Sequence, residues 1–272
     1  MALTSIQRRV CRLIAENRIS SGESYVAGGV ALNELISAPR ISRDIDLFHD
    51  TEEALEATWA ADRTLMEKNG FEIRVVRERS SFVEAEVSRD GDTVVIQWTR
   101  DSAFRFFPLI RHEEFGLTLH PFDVATNKVL ALVGRLEVRD WIDVINCDER
   151  IQPLGYLAWA AIGKDPGFSP EAILEHAGRS GRYSADEVSE LAFEGEPPDA
   201  KELSRKWHAI LDAAKQVIAA LPGDQAGTCV ITRPGELYRG DVSELRDALK
   251  RGDICFHTGR IRGAFPVVLE RQ

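Results

Sequence analysis

The sequence predicts an α+β fold, with a mixed sheet flanked by helices over residues 1–120 and a mainly helical part after it. Three observations carry that prediction. Asp44 and Asp46 alternate with Ile45 and Leu47, a strand period of two, and Thr93–Thr99 reads as another strand. The second run is preceded by a strand-like stretch and the turn Arg89-Asp-Gly-Asp92, a strong hairpin signal. From Pro121 onward the apolar spacing becomes helical.

The elements follow in order. An opening helix over 2–18 alternates Arg with apolar residues and is stopped by Ser20-Ser-Gly22. A short strand, 24–27, leads through Gly28-Gly29 into a helix over 29–37 that Pro39 ends. After the Asp44–Phe48 strand, Thr51 caps a helix over 52–69 and Asn69-Gly70 stops it. Strands are predicted over 71–77, 81–88, 93–99 and 115–119. Helices are predicted over 121–136, 139–147, 154–163, 170–179, 185–193 and 199–220. The last 45 residues suggest strands at 228–232, 254–257 and 264–269 around a helix at 241–250. The expected organisation is a core over 1–120, a helical domain over 121–222 and a small mixed extension over 223–272. Glu194–Asp199, with two prolines and a glycine, is the best candidate for an exposed loop.

Composition narrows the function. With 272 residues, 44% of them apolar and 29% charged, the chain is ordinary for a globular protein. No apolar run approaches the roughly 20 residues of a membrane helix, and the N-terminus lacks a secretory core, so no membrane partner and a cytoplasmic location are expected. The formal net charge of −10 argues against a generally basic nucleic-acid coat, although a local patch is conceivable among Arg100, Arg105, Arg111, Lys128, Arg135 and Arg139. Cys11, Cys147, Cys229 and Cys255 are scattered without paired spacing, which predicts buried small hydrophobes and no zinc site.

The most informative pattern is Gly28-Gly29 followed by Asp44-Ile-Asp46. On a strand Asp44 and Asp46 point to one face, with Ile45 and Leu47 buried opposite. Two adjacent carboxylates repel unless a cation lies between them, and hard oxygen ligands suit Mg²⁺. Glycines let a backbone approach a phosphate, and the following helix would aim its first N–H groups at it. Metal carboxylates beside a phosphate cradle are equipment for phosphoryl or nucleotidyl transfer. The bland alternative is a tight turn and a solvated acidic strand. Arg40, Ser42 and Arg43 precede the pair, either helping to hold a triphosphate or forming a polar loop.

Gly28-Gly-Val-Ala-Leu-Asn33 with Arg40-Ile-Ser-Arg-Asp-Ile-Asp-Leu47 resembles the signature of the AbiEii/AbiGii toxin family, within the DNA polymerase β-like nucleotidyltransferase superfamily. The resemblance continues through Pro121-Phe-Asp-Val-Ala-Thr-Asn-Lys-Val-Leu-Ala-Leu132, Arg135 and Arg139-Asp-Trp-Ile-Asp143, covering residues 23–150 with looser similarity to Gly167. It implies a nucleotidyltransferase-type sheet and Mg²⁺ held by Asp44 and Asp46, with NTP as substrate. Gly28, Gly29, Arg43 and Arg135 would bind the nucleotide. Lys128, Asp140 and Asp143 would join the two Asp residues in catalysis. The implied acceptor is RNA, at the 3′ end of tRNA, and the implied biology is a toxin with a cognate antitoxin or a phage-defence pair.

Read as residues alone, these positions have other uses. Lys128 and Arg135 share a helix face, and Lys128 could be a solvated lysine. Asp123 sits in the first turn of its helix, where the dipole favours a carboxylate, so a catalytic role and a capping role are equally open. Asp140 and Asp143 are neighbours on a helix and could simply bridge to Arg135 or Arg139. The aromatic group Trp98, Phe104, Phe106 and Phe107 either stacks bases or fills a core beneath the hairpin. Lys164-Asp-Pro-Gly167 resembles a helix-ending turn.

One departure from the superfamily stands out. Where a third metal carboxylate is often supplied from a later strand, this chain offers Gln97; Glu84, Glu86 or Asp101 could substitute. Two further functions follow. Nucleotide transfer to a small cationic molecule such as an aminoglycoside fits the acidic charge. A non-catalytic member acting by binding fits Gln97.

Overall fold

The computed structural model describes residues 3–181 and 183–267. Its elements run α1 (Ser5–Ser21), β1 (Ser24–Ala27), α2 (Gly28–Leu35), β2 (Arg40–Ile41), β3 (Asp44–His49), α3 (Glu52–Lys68), β4 (Glu72–Arg79), β5 (Phe82–Arg89) and β6 (Asp92–Arg100). Then come β7 (Phe104–Arg105), β8 (Ile110–His112), β9 (Gly116–Thr118), α4 (Pro121–Arg135), α5 (Val138–Arg150), α6 (Leu154–Ala161), α7 (Pro170–Ala177), α8 (Ala185–Ser189) and β10 (Ala192–Phe193). The rest is α9 (Ala200–Ala220), a 3₁₀ turn, β11 (Thr228–Thr232), α10 (Val242–Arg251), β12 (Ile254–Thr258) and β13 (Arg260–Ile261). The α+β class is as predicted. Two compact units divide the chain: residues 1–103, 109–120 and 192–195 form one, and 104–108, 121–191 and 196–272 the other.

The first unit is built on a mixed sheet of order β4-β5-β6-β3-β1-β9-β8. Strand β3 runs parallel to β6 and antiparallel to β1, and β5 completes antiparallel pairs with β4 and β6. The hairpin turn has Asp90 and Gly91 both at positive φ, as a type I′ turn requires. Burial along β3 alternates strictly, so Ile45, Leu47 and His49 face the core and Asp44, Asp46 and Phe48 face away. Val10, Cys11 and Ile14 of α1 and Leu55, Trp59 and Met66 of α3 pack on the core face with Ile96, Trp98, Val83 and Val87. Thr4 caps α1 with a reciprocal Gln7 bond, and Gly22 ends it in the left-handed region. Thr51 accepts from Ala54 N to cap α3.

The core of this unit also holds charge. Arg18 and Asp62, both fully buried, pair at 2.5 Å, while Asn17 Nδ2 and Trp98 Nε1 donate to the same carboxylate. A buried carboxylate saturated by three donors ties α1, α3 and β6 together. Nearby, His49 shares a hydrogen bond with Ser24 Oγ at 3.0 Å. Burial, reinforced by the Arg18 guanidinium, lowers the His49 pKa to about 4, so the ring is neutral at physiological pH.

The second unit is mainly helical, with β11 and β12 paired in a small antiparallel ladder. Asp123 fastens residues 104–108 to α4. Its carboxylate accepts from Phe106 N at 2.8 Å and Phe107 N at 2.9 Å, and Lys164 Nζ lies 2.9 Å away. Those roles answer for Asp123 and Lys164 as packing residues. The aromatic group divides between the units: Trp98 fills the sheet core beside Trp59, whereas Phe106 and Phe107 pack edge-on against Phe122.

Several local predictions need correction. The helix expected over 185–193 stops at Ser189, and Ala192-Phe193 instead pairs with Arg40-Ile41. Two-residue strands such as β2 and β10 carry too few residues for any periodicity to show. The strand expected over 264–269 is not formed by 264–267, where Pro266 removes a ladder donor; 268–269 lie outside the described residues. Cys255 is only partly buried, unlike the other three cysteines. Among the described residues no helix is long and apolar enough to cross a membrane.

Candidate active site

In the first unit the predicted residues meet on the sheet face turned away from α1 and α3. Strand pairing sets Ala27 opposite Asp46 on one side and Gln97 opposite it on the other. Gly28 and Gly29, which open α2, therefore emerge beside the Asp46 carboxylate. Gly28 has φ +67°, and a Cβ built there would fall 1.7 Å from Asp46 Oδ2. Only glycine meets both demands, a left-handed backbone and side-chain-free contact with a carboxylate. A Cβ on Gly29 would fall 2.7 Å from Arg40 Nη2 and 2.8 Å from Ser42 Oγ. The backbone of the glycine pair thus runs between a carboxylate and a guanidinium. Ala27 offers no side-chain cap to α2, which leaves the orphan N–H groups of its first turn to other acceptors.

Arg40 is the residue sequence reasoning undervalued. It is buried, held in β2 by pairing with Phe193, and its Nη2 lies against the glycine pair. Arg43, assigned to the nucleotide from the resemblance, is exposed, and its carbonyl accepts from Gln7 Nε2 at 3.2 Å. The signal for Arg40 was its place two residues before Ser42 in the same polar loop. Nothing in the sequence revealed that a strand from residues 192–193 would fix it there.

The three substitutes considered for a third carboxylate have distinct partners. Glu86 pairs with Arg74, whose Nε donates at 3.1 Å. Asp101 accepts from Ser102 N at 2.7 Å. Glu84 lies opposite Gln97 on β5 and accepts from its Nε2 at 2.9 Å. No group of three His, Cys, Asp or Glu side chains converges as a metal cage among the described residues. Asp44 and Asp46 stand side by side on the β3 face that carries the glycine pair. That donor set fits Mg²⁺, which is commonly held by one or two carboxylates and completes its shell with water and substrate phosphate.

The second unit holds the other predicted residues. Lys128 on α4 lies 3.2 Å from Asp140 and 2.9 Å from Asp143, both on α5. Arg135 grips Asp140 in bidentate fashion, Nε to Oδ2 at 2.6 Å and Nη2 to Oδ1 at 3.0 Å. Asp140 and Asp143 are fully buried, Lys128 is nearly so, and Arg135 is 44% exposed. Leu136, with φ 53°, reverses the chain so that α5 brings its first turn against the end of α4. Two cations and two carboxylates balance in this cluster. One turn further along α5, burial and the Asp143 charge raise the Cys147 thiol well above its usual range, leaving it un-ionised.

No protein-family model and no curated protein matches the sequence. Solved structures do resemble it in fold. The Helicobacter pylori protein JHP933 superposes with a TM-score of 0.54 at 14% identity, over 80% of this chain and 95% of its own. A candidate nucleotidyltransferase from H. pylori gives 0.52 at 16% identity, over 81% of this chain and 99% of its own. The nucleotidyltransferase toxin MenT4 of Mycobacterium tuberculosis H37Rv scores 0.45 at 16% identity over 80% and 83%, a likeness too slight to bear on the argument. The chain therefore shares its fold with the two H. pylori proteins.

Proposed function

We propose that this chain is a nucleotidyltransferase that moves a nucleoside monophosphate from an NTP to an acceptor, with Mg²⁺ held by Asp44 and Asp46. One observation carries the reading most directly: Gly28 lies against the Asp46 carboxylate at a distance no side chain permits, with Arg40 beside Gly29. The glycine backbone and the first turn of α2 receive the triphosphate, and Arg40 offsets its charge. Arg43, exposed at the edge of β3, is assigned a looser contact with the nucleotide. Bound Mg²⁺ would neutralise charge developing on the phosphates. Asp46 is assigned as the base that would take the proton of the attacking hydroxyl. Lys128 and Arg135 are assigned to phosphate or acceptor, oriented by Asp140 and Asp143.

The acceptor is proposed to be RNA at the tRNA 3′ end, with the protein acting as the toxin of a toxin–antitoxin or phage-defence pair. The resemblance to AbiEii/AbiGii proteins supports this, while the shared fold with a candidate nucleotidyltransferase supports the transfer itself. The acidic charge favours a second acceptor class, a small polycation such as an aminoglycoside. Incubating the protein with each α-labelled NTP, Mg²⁺ and total RNA tests the proposal. Label should appear in RNA and vanish with Asp46→Ala. Label in an added aminoglycoside alone would replace the acceptor, and label nowhere would leave a non-catalytic binding protein.

A further inference from the structure

We propose that Glu84 is a positioning residue that fixes the side-chain amide of Gln97, so that Gln97 Oε1 serves the Asp44/Asp46 site as a neutral oxygen ligand in place of a third carboxylate. The inference rests on the Mg²⁺ reading above.

The argument starts from register. Asp46, Gln97 and Glu84 are successive partners across β3, β6 and β5, so they form one row on the face turned away from the core. Each side chain in the row is half-buried, which keeps it at the surface of the sheet yet constrained by its neighbours. A glutamine between two carboxylates has two orientations, related by a flip that exchanges its nitrogen and oxygen. A glutamate at neutral pH has only acceptors to offer. It accordingly selects the orientation in which Nε2 points to it, and the Nε2–Oε2 separation of 2.9 Å is that bond. Oε1 is then left as the ligating atom of the amide, in the row it shares with Asp46.

The neighbours explain why Glu84 and not Glu86 does this. Glu86 is one row away, opposite Val95, and is neutralised by Arg74. Arg77, the β4 partner of Glu84, carries its guanidinium over the ring of Phe82, 5.7 Å from the centroid. Among the described residues Glu84 forms no ion pair, and the bond from Gln97 is the contact that engages its carboxylate. The arrangement puts two formal charges and one neutral oxygen at the site. A cation should therefore bind less tightly than at three carboxylates and exchange faster. Outer partners that orient a ligand in this way change metal affinity by about 10–100-fold when removed.

The test reads metal affinity, with Mn²⁺ as the paramagnetic probe for the Mg²⁺ position. Free Mn²⁺ is followed by electron paramagnetic resonance in titrations of the full chain, with and without a non-hydrolysable NTP analogue. Wild type should bind one Mn²⁺ and Asp46→Asn should not. Gln97→Leu, which keeps the bulk and removes the oxygen, should weaken binding about tenfold, and Glu84→Ala by a similar factor. Glu84→Gln, able to accept through its own carbonyl, should recover part of the loss. In the Gln97→Leu background, Glu84→Ala should have no further effect. A loss that persists there would mean that Glu84 acts through its charge alone and would overturn the positioning role. Wild-type affinity in both single variants would overturn it as well, while leaving the Mg²⁺ reading intact. Absence of Mn²⁺ binding by the wild type would overturn both. Circular dichroism melts of each variant report whether the sheet itself has changed.

Discussion

Asp44 with Asp46 and Asp140 with Asp143 are both carboxylate pairs on single elements, yet their surroundings are opposite. The first pair stands half-exposed on a strand face, with glycine backbone pressed against it. The second is fully buried, and each member is met by Lys128, with Arg135 closing on Asp140. Carboxylates taken out of water need cations as a condition of folding. Carboxylates left at the surface can hold like charge in reserve for a ligand. Disturbing the second cluster should therefore cost stability first, and disturbing the first should cost ligand binding first.

The largest effect is expected at Lys128. Lys128→Met removes the cation that meets both buried carboxylates, leaving Arg135 on Asp140, and should destabilise by about 3–5 kcal/mol, read as a lower urea midpoint by circular dichroism. An unchanged midpoint would show that the second cluster is not a folding element and would dissolve the contrast. Acid should act next, through the core face of β3. His49 has its pKa lowered to about 4 from 6.5, so the folded state binds fewer protons than the unfolded chain as pH falls. Its contribution is complete above pH 6.5 and is lost progressively on the way to pH 4, amounting to about 3 kcal/mol. His49→Gln should flatten the pH dependence of the midpoint between pH 6.5 and 5; an unaltered slope would assign the loss to other groups.

The same contrast marks what could be read from sequence. The alternation Asp-Ile-Asp-Leu encodes its own outcome, because a period of two and the burial of Ile45 and Leu47 settle which way Asp44 and Asp46 face. The Thr51 cap, the Gly22 stop and the Asp90-Gly91 turn are equally local, and they appear where the residues put them. Long-range pairing has no such signature. Nothing near Arg40 announces Phe193 as its strand partner, and nothing near Gln97 announces that Glu84 will take its amide hydrogen. The Arg18–Asp62 pair was invisible for the same reason: each looks like an ordinary helical charge until α1 and α3 meet. Asp123 sits in the first turn of α4 as the sequence suggests, yet its partners, two backbone N–H groups and a lysine, come from segments the sequence does not join to it.

Smaller effects sharpen the contrast on the acidic ledge. Gly28→Ala places a methyl carbon 1.7 Å from Asp46 Oδ2 and forces a left-handed backbone on alanine. The strain should cost about 1–3 kcal/mol, and NTP binding measured by calorimetry should be lost along with it. Asp46→Asn is the finest discriminator, because it preserves shape and removes only charge. At a half-exposed position that change should alter the unfolding free energy, from urea melts, by less than about 0.5 kcal/mol in either direction. Mn²⁺ binding should nonetheless disappear, since an amide oxygen is a weak substitute for one of only two charged ligands. A stability loss at Asp46 as large as that at Lys128 would make the ledge a structural cluster like the other. Retained metal binding would instead place the cation elsewhere, and the close approach of Gly28 would then need a different ligand to explain it.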